Sequence, residues 1–466
     1  MRVTLLGHAS VLVELTGATV LMDPVLMDPF EEGTVVSCPR RTIDLDALPP
    51  IDIVVVSHRH PDHFDLPSLA LLDRGVDAIC PGDPLIVYGL KQLGFQHVHP
   101  VQPMAPVLGH DFELFPTRSE LTSIPEFGLV FHDESGTFWN QVDTPLSDET
   151  IDAVRHHIGP IDLLFAMYAS QNFEFFESRS TTFPAETHRR NLETSLRIAP
   201  AVVTPASAGF RFAGEHEWLN AFLFPIARER FAYDLRSVAP QLVVTIMNPG
   251  DTFELADGHV KHRRAASTYA RTEVDDTARL RFEPTASIPP LRDDNPTGRG
   301  LADLETIITR LLAFDLAHFV RTRQAAHAGV LDAYARHGVR YQIEVVFPDG
   351  PTRWFQYRFD GAGVEVVTGA GEAPADAHLV HRIAASALAG WVEHSRSFFS
   401  VRAASRRHGE LYELQRNDAG VGLRPVELPD LLMYYVLRVA PGSDHAARDE
   451  VDQQLLQLGT EPRLAR

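Results

Sequence analysis

Cysteine is almost absent from this 466-residue chain, which has only Cys38 and Cys80. So few thiols cannot build a disulfide framework or a cysteine-ligated zinc or iron–sulfur centre. Lysine is equally scarce, at Lys91 and Lys261, so arginine supplies nearly all the positive charge. Positive charge is itself in short supply: 42 Lys and Arg against 62 Asp and Glu leave a formal net charge of −20. A surface of that sign repels phosphate, which argues against nucleic acid or an anionic membrane as a partner. No apolar run approaches the roughly 18 residues that a membrane span needs. The opening MRVTLLGHASVLVEL lacks a basic region and a cleavage site. It reads as strand, and a cytoplasmic protein is expected.

Hydrophobic residues at 44% and charged residues at 22% are those of a globular protein, and the length suits two or three domains. Short β-rich runs alternate with turns from Met1 onward: VTLLGHASVLVEL, ATVLMDP, then IDIVVVSH. The third is nearly all β-branched, as a strand buried on both faces would be. In DLPSLALLDRG, Asp65 is placed to cap a helix with Pro67 in its first turn. Strand, loop and helix keep alternating, so residues 1–264 are expected to form an α/β catalytic domain. The pattern fades over 265–300, where TASIPPLRDDNPTGRG reads as a linker or wrapping arm. Residues 301–466 are expected to be a smaller α+β domain. It would hold a long amphipathic helical stretch, the strands YQIEVVF, TRWFQYRF and GVEVV, a helix over ADAHLVHRIAASALAGWVEH and another in LPDLLMYYVLRV.

The chemistry is concentrated in Ser57-His58-Arg59-His60-Pro61-Asp62-His63, directly after the buried run IDIVVV. A loop leaving the C-terminal end of a central strand is where α/β folds commonly place their chemistry. Here His58 and His60 can converge on one cation while Asp62 and His63 face a second. Four ligand-type residues in six positions point to metal more than to a polar loop. One cluster cannot fill two coordination spheres, so further ligands are expected from later segments. They are Asp143 in NQVDT (otherwise a helix-capping aspartate), Glu120 in SELTS with Glu126 as its rival, and His216 in GEHEW. His8 and Asp23 sit at strand ends near the same rim. They are expected to orient ligands through hydrogen bonds rather than bind metal.

The H-x-H-x-D-H cluster resembles the signature of the metallo-β-lactamase fold, an αββα sandwich, over about residues 1–255. Within that superfamily the segments GHASVLVE, VLMDP, DIVVVSHRHPDHFDLPSL, NQVDT, PASAGFRFAGEHEW and NPGDTFEL are similar, in order, to CMP-N-acetylneuraminate hydroxylase. The ligand pattern also resembles the chloramphenicol β-hydroxylase type of di-iron oxygenase, where a glutamate replaces a histidine of the zinc hydrolases. The resemblance implies that His58, His60 and Glu120 hold one iron and Asp62, His63 and His216 the other, with Asp143 bridging. No Rieske segment accompanies the cluster, so electrons would come from an external reductase or ferredoxin. The sugar-nucleotide substrate is correspondingly not expected.

A third carboxylate makes the site one charge more negative than the five-histidine, two-aspartate zinc set. Hard oxygen donors suit iron, or manganese, better than zinc. The expected cofactor is therefore a pair of metal ions, iron first and zinc or manganese as alternatives. The expected activity is a di-iron monooxygenase acting on a small-molecule substrate. The alternative is a hydrolase of a lactone, phosphoester or amide using metal-bound hydroxide, and everything separating the two rests on Glu120. The C-terminal unit faintly resembles a sterol-carrier-protein-2-like domain, which would enclose an apolar cavity. Its other reading is a lid or dimerisation domain, the latter giving a homodimer.

Overall fold

The computed structural model describes residues 1–121, 123–168, 171–172, 175, 181–348, 350–361, 363–397, 401–402, 405–409, 411–417, 420–426, 428–439 and 443–459. The last part of the expected C-terminal domain, 460–466, lies outside them. The chain groups into two compact units. One comprises Met1–Asn172, Thr182–Ala286 and Gln454–Arg466, and the other Phe173–Thr181 and Ser287–Gln453.

Two sheets build the first unit. The eight-stranded sheet runs in the order His259–Arg263, Thr252–Ala256, Arg2–Gly7, Ser10–Leu15, Ala18–Met22, Ile53–Val55, Asp77–Pro81, His97–Val101. The seven-stranded sheet runs Val243–Val244, Val202–Ala206, Leu163–Met167, Gly136–Asn140, Phe127–Asp133, Phe112–Arg118, Val107–Leu108. Val3, Val13, Val20 and Val55 of the first sheet share one buried cluster with Leu114, Leu129, Phe131, Phe138 and Phe165 of the second. The sheets therefore pack face to face, and truncating a ring such as Phe131 to alanine would cost about 3–5 kcal/mol. The outer face of the second sheet, with Val130, Trp139, Leu164 and Val203, is covered by Ile151, Val154, Phe231 and Leu235 of helices Asp148–His157 and Arg228–Val238. Helices outside packed sheets make this an αββα sandwich, as the sequence implied. Ile53–Val55 is a parallel strand between Ala18–Met22 and Asp77–Pro81, which explains its unbroken β-branched run. Asp65 caps Leu66–Leu69, accepting from Ser68 N–H.

The segment from 265, expected to be a linker or wrapping arm, begins by packing on the first unit. Ala270–Val274 pairs antiparallel with Arg40–Ile43. The Tyr269 hydroxyl donates to Thr4 Oγ1, and buried Asp276 accepts from Arg211 Nε at 2.6 Å. The strand is short, bulged and polar, so it carries no alternation to betray it.

In the second unit a five-stranded sheet has the order Val364–Ala370, Arg353–Phe359, Arg340–Val346, Leu379–Ala384, Ser405–His408. Leu304, Leu312, Phe319, Leu331 and Leu432 on helices cover Tyr341, Ile343, Phe355 and Ile383 on its core face. Residues 379–384, expected to be helical, form a strand parallel to Arg340–Val346. The helix starts only at Ala385. Pairing on both edges outweighs local helix propensity there. The long helical stretch is likewise divided, with a π-helical segment at Arg310–Leu316 and a left-handed Arg323 after Ala317–Thr322. Among the described residues no helix is long and apolar enough to cross a membrane.

Candidate metal centre

The first unit gathers its ionisable side chains where strand Ile53–Val55 ends. Val56 N–H donates to Ile79 O and extends the parallel ladder by one residue, and the chain then turns through 57–63. His63 N–H and Phe64 N–H both donate to His60 O, closing a tight loop. Arg59 points away from the cluster: its guanidinium donates to both oxygens of buried Asp83 at 2.7 and 2.8 Å. Asp83 in turn caps helix Pro84–Leu93. The one cation within the motif is thus spent on fold, and the histidines and acid are left facing one another.

His58 Nε2 lies 2.9 Å from His60 Nδ1, and Ser57 Oγ lies 2.9 Å from His58 Nδ1. Asp23 accepts from Ser57 N and Oγ, both at 2.7 Å, and contacts His63 Nδ1 at 2.9 Å. This leaves His63 Nε2 for a ligand. It faces Asp143 Oδ2 at 3.4 Å and Asp62 Oδ2 at 3.7 Å. His8 Nε2 lies 3.2 Å from the same Asp62 oxygen. Potential ligand atoms of His58, His63 and Asp143 lie within 4.8 Å of one another, and so do those of His8, Asp62 and His63. Asp143 follows Val142, held at φ 55°, a conformation costly for a β-branched residue. The neighbouring side chains hold that turn: Asn140 Oδ1 accepts from Val142 N–H, and Gln141 Nε2 donates to Thr144 O. Ser147, not Asp143, caps the following helix.

Electrostatics here call for positive charge. Burial, with His63 and His60 alongside, holds His58 well below the ordinary imidazole range. His63 moves the other way: burial opposes its charge, but Asp62 and Asp23 hold it well above that range. Burial would raise Asp62, yet His63 and His8 keep it below the usual carboxylate range. His63 Nε2 and both ring nitrogens of His8 are buried without a hydrogen-bond partner. Buried imidazole nitrogens beside carboxylates and lacking partners are chemically suited to a cation, so the residues present fit a metal ion.

The acid expected from the 119–126 loop is placed differently. Glu120 has a side chain 44% exposed, with Arg190 Nη1 at 4.0 Å, and it lines an outer groove with Ser147, Glu149 and Arg190. The buried acid is Glu126, hydrogen-bonded by Ser119 Oγ. Burial pushes its carboxyl up to about 7 against the Ser119 bond, with Asp143 adding to the rise and His63 opposing it. The physical reason lies in Phe127, whose N–H donates to Ser57 O and draws residue 126 toward the histidine loop. His216 is buried with Nε2 3.4 Å from Glu215 Oε1, and it belongs to neither convergent group. Glu31, passed over in the sequence, also senses the cluster: burial, Asp62 and Glu32 push its carboxyl well above the ordinary range. Its turn, Phe30–Thr34, carries no motif that would have revealed it.

Comparison with known proteins bears on the fold of the first unit. Residues 2–110 match the family model described as a beta-lactamase superfamily domain, and the first unit has the metallo-β-lactamase fold. It is 28% identical over 181 residues to a putative Rieske 2Fe-2S iron-sulfur protein of Mycolicibacterium smegmatis, covering 36% of this chain and 34% of that protein. It is 44% identical over 66 residues to N-acyl-phosphatidylethanolamine-hydrolyzing phospholipase D 1 of Caenorhabditis elegans, covering 13% and 18%. The chain spans about a third or less of the length of these curated relatives. Among solved structures, the diiron β-hydroxylase CmlA from Streptomyces venezuelae is similar at 15% identity and a TM-score of 0.38, over 53% of this chain and 52% of that one.

Proposed function

We propose that the chain is a dinuclear-metal enzyme that oxidises a small molecule with O2, taking electrons from a separate donor protein. The observation carrying this reading is the buried carboxylate of Glu126, close enough to Asp143 and His63 to feel their charges. With Asp62 and Asp143 it makes the donor set oxygen-rich, which favours iron or manganese over zinc. When bound, the ions would supply Lewis acidity and redox equivalents. His58 and His60 would hold one ion and Asp62 and His63 the other, and Asp143, with an oxygen within 4.8 Å of ligand atoms of His58 and His63, would be available to either. Asp23 fixes the His63 ring and keeps Nε2 turned inward. Among the described residues neither Cys38 nor Cys80 belongs to a group of side chains that could hold a metal, so the electrons are read as coming from a separate protein. A ferredoxin or reductase would deliver the electrons, and a relative named for a Rieske centre supports that class of donor. Two measurements test the reading: metal content of protein purified without added metal, and O2 uptake with a chemical reductant. Iron and O2 uptake are expected, with Glu126→His shifting the protein toward zinc and abolishing uptake. Wild-type protein that carries zinc alone and is inert to O2 after iron loading would overturn it.

The second reading is a metal-dependent hydrolase, favoured by the position of Glu120. The acid on which the sequence based oxidation is solvated and paired with Arg190. Should Glu126 prove to be no ligand, the site keeps a hydrolytic donor set. The Caenorhabditis elegans relative is named for a hydrolysis.

A further inference from the structure

We infer that His8 is a direct metal ligand and that it, rather than His216, completes the coordination of the second ion. The inference rests on the reading that this cluster binds metal, and it changes which residues do so. Asp23 engages Nδ1 of His63, leaving Nε2 as the one atom that ring can offer an ion. Both convergent groups of the cluster include His63. An ion at His63 Nε2 on the side of His8 is therefore within reach of Asp62 and His8, whose ligand atoms lie within 4.8 Å of it and of each other.

The spacings are those of a coordination sphere. Ligands held at about 2.1 Å around a tetrahedral ion stand about 3.4 Å apart. The observed separations are 3.2 Å for His8 Nε2 to Asp62 Oδ2, 3.4 Å for His63 Nε2 to Asp143 Oδ2 and 3.7 Å for His63 Nε2 to Asp62 Oδ2. A charge-assisted N–H···O bond would be nearer 2.7–2.9 Å, as the His63–Asp23 contact is at 2.9 Å. His8 Nε2 faces Asp62 without meeting hydrogen-bond geometry, and its Nδ1 is likewise buried without a partner.

The backbone fixes His8 in this role. Its φ of 49° turns the chain between Arg2–Gly7 and Ser10–Leu15. A Cβ on Gly209 would come within 3.0 Å of His8 N, so glycine is what lets the two segments approach. Phe30 and Phe210 flank the imidazole at 5.8 and 5.1 Å between ring centres. The side chain is fully buried and faces the acid. His216 lies in a short 3-10 segment, Gly214–Leu219, beside Glu215.

The test compares His8→Gln, which preserves most of the side-chain volume, with His216→Ala. The readouts are bound metal per chain after titration with Fe(II) or Zn(II) alone, and X-ray absorption at the metal edge. For His8→Gln we expect one tightly bound ion in place of two, at least a hundredfold weaker binding of the second, and one fewer imidazole per metal pair. His216→Ala should retain two ions and an unchanged imidazole count. Circular dichroism and thermal melting of the metal-free forms identify a folding failure. If His8→Gln does not fold, an anomalous-scattering map of the wild type decides, by whether an ion lies within about 2.3 Å of His8 Nε2. Two ions and an unchanged imidazole count in His8→Gln, or loss of an imidazole in His216→Ala, overturn the assignment while leaving the metal reading intact. A wild type that binds no metal defeats the metal reading itself, and the assignment with it.

Discussion

Each unit of this chain buries histidine against aspartate, and the two places are built on opposite principles. In the second unit Asp430 is a hub. It accepts from Tyr341 Oη at 3.2 Å and from Met433 N–H at 2.9 Å, with His381 Nδ1 at 3.2 Å and Arg407 Nε at 3.4 Å. It also caps helix Leu431–Arg438. A resident arginine opposes the buried acid there, and donors surround it. In the first unit the buried acids Asp23 and Glu126 and the half-buried Asp62 and Asp143 surround His58, His60 and His63. The nearby arginines are engaged elsewhere: Arg59 by Asp83, and Arg41 by Leu6 O, Val25 O and Asp28. The difference teaches how to tell a structural ion cluster from a site. The structural cluster carries its own counter-charge and pairs the acid's oxygens. The site holds an excess of one sign with no arginine among the described residues turned to it, which an ion from solution can balance.

The largest effect that could break this contrast concerns His58. His58→Ala should abolish turnover and lower bound metal by at least one ion per chain, while the metal-free protein melts near the wild-type temperature. It removes one of several crowded imidazoles, not a counter-charge. Metal analysis and thermal melting check it; a fully loaded, active variant would end the case for the cluster.

Asp430 should behave in the opposite way. Asp430→Ala strands Arg407 and His381 and should destabilise the second unit by about 3–5 kcal/mol, with metal content and turnover unchanged. Burial alone would raise the Asp430 carboxyl, but His381 and Arg407 outweigh it and hold it below the usual range. With the folded value depressed, its stabilisation is full above an unfolded value of about 3.9. It is lost as pH falls through the folded value. Urea unfolding of wild type and Asp430→Asn should therefore differ at pH 7 and converge in acid below about pH 4. A gap that stayed constant to pH 2 would show that Asp430 acts through shape and not charge.

The sequence made the first of these places visible and hid the second. The order of donors in HRHPDH is a local property, and a β-branched strand before it specifies a loop at a strand end. Alternation of strand and helix pointed to an α/β domain, and the resemblance carried by the cluster implied its αββα layering. Asp430, His381 and Arg407 are distant in the chain and meet only because Leu379–Ala384 is a strand that pairs with both Arg340–Val346 and Ser405–His408. With 379–384 taken as helix, that meeting could not be seen. His8 was visible as a strand-end residue, but its distance from Asp62 was not.

The smallest expected effect tests the loop in which sequence and structure part. RSELTSIPEF offers two acids, and nothing local says which faces the histidines. That choice is made by Phe127 N–H bonding to Ser57 O, a contact 70 residues apart in the chain (127 − 57). Glu120→Gln should leave stability within about ±0.5 kcal/mol, because an exposed pair at 4.0 Å contributes little. It should also leave metal content and metal preference unchanged. The matched Glu126→Gln removes a buried carboxylate, so it should lower iron retention. Mass-spectrometric metal analysis of the two variants prepared side by side separates them. If Glu120→Gln loses iron and Glu126→Gln keeps it, the loop rearranges when metal binds and Glu120 regains the role expected of it. If both keep it, neither acid is a ligand, the extra negative charge is gone, and hydrolysis becomes the better account of the site.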